Sequence, residues 1–83
     1  MNENIKNEKN NIKVELEPTE RGFMRGEFID ANGNRCSIQE SSNAEEKQIW
    51  LGFDEGKRME LTRDMVSALL PVLQKFVEKG ELK

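Results

Sequence analysis

The sequence contains no histidine. That removes the usual general base near neutral pH, the commonest nitrogen ligand for metals, and every serine–histidine or cysteine–histidine nucleophile. A single cysteine, Cys36, excludes an intrachain disulfide and a cysteine-only metal site, and it fits a reducing compartment. No apolar run approaches the length of a signal-peptide core or a membrane span, so a cytoplasmic location without membrane contact is expected. Strong positive charge is missing too. The formal net charge of −3 gives no broad attraction to nucleic acid or an anionic membrane, though it leaves room for a local basic pocket.

Motifs for catalysis are equally scarce. There is no P-loop, and Gly22-Phe23-Met24-Arg25-Gly26 is not a dinucleotide fingerprint. The acidic pairs Glu45/Glu46 and Asp54/Glu55 fall in predicted turns and read as solvated charge, not as a metal cage or a glycosidase pair. Cys36 alternates with apolar residues and reads as a small buried hydrophobe. The expectation is a non-enzymatic protein without cofactor or metal.

What is present is patterned. The 83 residues suit one domain with a marginal core, and oligomerisation is a common remedy at this size. Residues 1–11, rich in Asn, Lys and Glu, predict a flexible tail, and residues 12–83 a single domain. Ile12, Val14 and Leu16 alternate with Lys13, Glu15 and Glu17, the period of a half-buried strand ended by Pro18. Phe23 to Asp30 and Arg35 to Glu40 predict a hairpin, with Gly33 in the left-handed position of a three-residue bulged loop. That loop places Phe28 opposite Cys36 and Gly26 opposite Ile38. Ser41 to Glu46 predicts a polar loop, Gln48 to Phe53 a fourth strand, and Arg58 to Leu61 a short fifth.

Thr62 then suits a helix N-cap, with Asp64 in the first turn and Gly80 as the stop. Between them Met65, Val66, Leu69, Leu70, Leu73, Phe76 and Val77 form an apolar stripe, and Pro71 predicts a kink. The fold class expected is therefore α+β: a four- to five-stranded antiparallel meander with one C-terminal amphipathic helix. The helix stripe is expected to cover the sheet face carrying Met24, Phe28, Cys36, Ile38, Ile49, Leu51 and Phe53.

The opposite face holds the candidate site. Arg25 and Arg35 offer forked donors suited to phosphate, and Trp50 offers a plane on which a base can stack. Ser37 and Gln39 lie between them, while Ser41 and Ser42 follow the strand and can turn hydroxyls and amides toward an anion or a ribose. Lys57 and Arg58 form a second basic candidate in a loop. The same residues admit a structural account, in which Ser41 and Ser42 cap a turn, Trp50 fills a subunit interface, and the arginines pair with Glu27 and Asp30.

One combination of residues is distinctive. Gly22-Phe23 through Glu27-Phe28, Cys36-Ser37-Ile38-Gln39-Glu40-Ser41-Ser42, Ile49-Trp50-Leu51-Gly52 and Leu69-Leu70-Pro71-Val72-Leu73-Gln74 resemble a small-protein family carried by phages and prophages. The resemblance spans about Gly22 to Leu82. It implies an accessory protein acting in the cytoplasm of a bacterial host cell, where such proteins often counter host defence by binding. The function expected is a homo-oligomeric (dimer or higher) viral protein that acts as an anti-defence sponge for a small anionic nucleotide-derived signal. A weaker architectural likeness, to PC4-like single-stranded-DNA-binding dimers, gives the alternative of a nucleic-acid partner. A third reading is direct inhibition of a host defence protein.

Overall fold

The Asp30–Asn34 turn sets the register of the first long hairpin. In the computed structural model, which describes residues 12–83 apart from positions 44 and 55, Gly33 takes φ 87°. Its N–H donates to the Asp30 carbonyl at 3.0 Å, and the Asp30 N–H donates to the Asn34 carbonyl at 2.9 Å. The Asp30 carboxylate accepts from the backbone N–H groups of Asn32 and Asn34, so the turn carries its own side-chain lock. Phe28 consequently faces Cys36 and Gly26 faces Ile38, as the bulged loop predicts.

The chain order is β1 (Glu17–Pro18), β2 (Met24–Ile29), β3 (Arg35–Glu40), β4 (Gln48–Phe53), β5 (Lys57–Thr62) and α1 (Arg63–Lys79). The five strands form one antiparallel meander in sequence order. The α+β class therefore holds. The expected tail over residues 1–11 lies outside the described residues.

Two expectations need correction. The alternation from Ile12 to Leu16 does not make a laddered strand: pairing is confined to Glu17 with Arg25 and Pro18 with Met24. A Cβ placed on Gly26 would come within 2.8 Å of Val14 Cγ1 and 2.9 Å of Leu16 Cδ2. The apolar residues of this segment thus serve a close crossing over a glycine rather than a hydrogen-bond ladder. Pro18, which has no N–H to donate, sits on the edge strand, where its loss to the ladder is tolerated.

The second correction concerns the helix. Thr62 ends β5 in an extended conformation (φ −81°, ψ 169°) and also caps α1, its hydroxyl accepting from the Met65 N–H at 3.2 Å. At the other end Gly80 takes φ 75° and donates to the Phe76 carbonyl at 2.8 Å. The helix runs through Pro71. Its apolar stripe, however, does not lie on the sheet: none of the helical residues is buried, and Phe76 is 54 % and Val77 77 % exposed. The reason is local. With Thr62 serving as both last strand residue and N-cap, no residue remains to reverse the chain before Arg63. Among the described residues Cys36, 4 % exposed, is the one buried apolar side chain. Met24, Phe28, Ile38, Ile49, Leu51 and Leu61 are half-buried on their face, and Phe53 and Met59 are exposed.

Candidate ligand-binding face

Cross-strand pairing brings the polar face together. Arg25 stands opposite Gln39, Gln39 opposite Trp50, and Trp50 opposite Glu60. One row along, Ser37 pairs with Gly52 and Gly52 with Arg58. Side chains on directly opposed positions share a face, so the sequence-predicted residues Arg25, Arg35, Ser37, Gln39 and Trp50 do lie on one side of the sheet.

Arg58 is the residue missing from the sequence-predicted set on this face. It lies in β5, as the short strand expected from Arg58 to Leu61 has it, and Lys57 beside it also belongs to the strand rather than to a loop. Its guanidinium carbon sits 4.7 Å from the centroid of the Trp50 ring, within range of a cation–π contact. Its Nη1 donates to Gln39 Oε1 at 3.0 Å and lies 3.4 Å from Ser37 Oγ. The signal that could have located it was parity: Arg58 faces Gly52, which faces Ser37, so pairing the expected fifth strand with β4 puts it on the polar face. Among the described residues no carboxylate pairs with Arg58.

The other arginines are differently placed. Arg25, half-buried, donates to Glu27 at 2.5 Å and to Asp54. These contacts, led by the hydrogen bond to Glu27, raise its pKa further above the ordinary arginine value. Glu27 is held below the usual glutamate range by Arg25. Asp54 is held below the usual aspartate range by the Ser37 hydroxyl first and by Arg25 as well. Asp54 therefore does not stand as solvated turn charge, and it, rather than Asp30, is the second partner of Arg25. Arg35 is exposed and reaches only Glu27, at 3.4 Å.

The predicted set thus divides. Gln39, Ser42 and Trp50 line a cleft of about 390 Å³ together with Thr19, Glu20, Arg21 and Phe23, a size within the range of small-molecule sites. Arg21 stands 5.6 Å over the Phe23 ring. The turn carrying these two is closed by the Thr19 backbone and hydroxyl, which accept from Gly22 at 2.9 Å and Phe23 at 3.2 Å. Ser37 is fully buried beneath Arg58. It therefore supports the site from below and does not face a ligand. Ser41 is engaged locally and does not line the cleft: its hydroxyl donates at 3.3 Å to Glu60, which stands opposite Trp50, and accepts from the Asn43 N–H at 3.1 Å. Arg35 lies at the far end of the sheet with Asn34, Asp54 and Lys57.

Chemically, the cleft combines two aromatic planes, the Arg21 guanidinium, the Glu20 carboxylate and amide or hydroxyl partners, with Arg58 adjoining it at Trp50. That is equipment for binding a flat, polar, negatively charged group. Burial raises the pKa of the Cys36 thiol above its usual value, which disfavours the nucleophilic thiolate. Among the described residues no group of three or more acidic or cysteine side chains is arranged to hold a metal ion, and no helix is long and apolar enough to cross a membrane. The chain matches no family model, no curated protein and no solved structure.

Proposed function

We propose that this chain is a non-enzymatic, homo-oligomeric binding protein whose polar sheet face takes a small anionic nucleotide-type ligand. In the phage setting that the sequence resemblance implies, it would act by sequestering such a signal from a host defence system. The observation that carries the reading is the placement of Arg58. It is oriented by Trp50, Gln39 and Ser37, all neutral, and among the described residues no carboxylate lies within ion-pair distance of it, Glu60 on the same face being turned to Ser41. A charge held in place by neutral groups is ready for an anion, whereas Arg25 is already committed to Glu27 and Asp54. The adjoining cleft supplies Trp50 and Phe23 for stacking and Gln39 and Ser42 for polar contacts.

Because Trp50 is the chain's one tryptophan, its fluorescence reports on this face directly. Titration with adenosine monophosphate, ADP-ribose and a cyclic dinucleotide should change Trp50 emission saturably for at least one of them, and Arg58→Ala should abolish the change. Binding confined to oligonucleotides and weakening steeply with salt would instead favour the single-stranded nucleic-acid alternative. No response to either class would leave direct contact with a host protein as the better reading.

A further inference from the structure

Among the described residues, two apolar surfaces of this chain are left largely uncovered. One is the helix stripe, in which Leu70, Leu73, Phe76 and Val77 are each more than half exposed. The other is the sheet face around Met59 and Phe53. At roughly half exposure for each large side chain, the stripe alone presents on the order of 600 Å² of apolar surface, the upper end of what a monomer tolerates. The β5–α1 junction prevents the first surface from covering the second in the same chain, since Thr62 ends the strand and caps the helix with no residue between them. The dimensions nevertheless match. A helix of 17 residues is about 25 Å long. Val14 and Leu16 already lie over the β2 side of this face at Gly26, which leaves β3 to β5, about 10 Å across at a strand spacing of about 4.8 Å and about 20 Å long at six residues each, the footprint of a helix laid along the strands.

We infer that the occupant of each surface is a second copy of this chain: α1 of one copy lies across the apolar sheet face of the other, reciprocally. Counting both helices and the sheet surface they cover, such an exchange buries more than the about 1,200 Å² that a specific interface needs. It is isologous, so it closes as a dimer rather than propagating. A groove of about 670 Å³ marks where the helix leaves its own sheet. The polar face stays open in this arrangement, because the exchanged helix lies on the opposite side of the sheet.

The inference specifies the homo-oligomeric part of the proposed function and rests on it. The test measures the mass of the full-length protein in solution by light scattering, for the wild type, Met59→Glu on the sheet face and Phe76→Lys on the helix. Both positions are exposed in the single chain, so neither change disturbs the core, and circular dichroism verifies that each variant folds. The expected result is a dimeric wild type, two variants that dissociate at least tenfold more readily, and a mixed dimer restored when the two variants are combined. A dimer lost in Phe76→Lys but intact in Met59→Glu would indicate helix–helix pairing and overturn the exchange, while leaving the protein an oligomer. A monomeric wild type would overturn the exchange and the oligomer together. The Trp50 titration reads the ligand part of the proposal separately in either case.

Discussion

Arg58 and Ser37 sit on strands that do not touch, yet Nη1 of Arg58 lies 3.4 Å from Ser37 Oγ, across the position of Gly52. The gap is passable because the intervening residue has no side chain. Gly52 takes φ 148°, and a Cβ there would meet the Lys57 carbonyl oxygen at 2.9 Å and Arg58 Cα at 3.0 Å. One glycine therefore serves both the backbone path of β4 and the reach of the arginine that organises the polar face.

Substitution at this point should be costly. Gly52→Ala is expected to destabilise the fold by about 1–3 kcal/mol through backbone strain. The neighbouring atoms are backbone and cannot move aside independently. Thermal unfolding followed by circular dichroism measures the loss. Gly56→Ala serves as a comparison, because there the added atom meets nothing within 4 Å and only the conformational cost of φ 86° remains.

Arg58→Lys separates charge from shape. A lysine keeps the positive charge but lacks the planar fork that reaches Gln39 and Ser37 while lying over Trp50. The variant should retain the fold yet weaken nucleotide binding by at least about tenfold, or about 1.4 kcal/mol. Isothermal titration against the nucleotide that best changes Trp50 emission provides the measurement. Full affinity in Arg58→Lys would show that the charge alone suffices.

Acid should destabilise the protein through two carboxylates. Glu27 and Asp54 both have pKa values depressed in the folded state, by Arg25 and by the Ser37 hydroxyl respectively in the first place. A depressed carboxylate contributes stability that is fully present above its unfolded-state pKa and is lost as pH falls through its folded value. The melting temperature should thus be flat near neutrality and fall below about pH 4.5. Asp54→Asn should flatten part of that fall, whereas an unchanged acid limb would remove Asp54 from the account.

The strand-to-helix cap offers a cleaner test of local energetics. Thr62→Ala deletes the hydroxyl that accepts from Met65 N–H and should cost about 1 kcal/mol. Thr62→Ser should recover most of it, which chemical denaturation can resolve.

Much of this fold is legible from residue order alone. The β2–β3 register follows from where a glycine can adopt positive φ, here Gly33. The helix ends are likewise local, decided by Thr62 and Gly80. What is not legible is tertiary. The alternation of Ile12, Val14 and Leu16 states only that one side is apolar, and a crossing over Gly26 uses that side as well as a ladder would. The stripe from Met65 to Val77 likewise states that something covers the helix, but not whether the cover belongs to the same chain. Within the candidate site, Trp50, Gln39 and Ser42 are found by parity and loop position. Arg58 is missed unless the pairing of the expected fifth strand with the fourth is followed across Gly52 to Ser37, and Asp54 is missed on the assumption that turn carboxylates are solvated.

The uninterrupted passage from β5 into α1 has a kinetic and practical consequence. With α1 covered by a second copy, as inferred above, folding would complete in a bimolecular step, and dilution would act on the protein as a denaturant does. Its melting temperature should rise with protein concentration, and no single value describes its stability. Lengthening the junction after Thr62 by a few flexible residues would free the helix to fold back, converting an encounter between two molecules into an event within one.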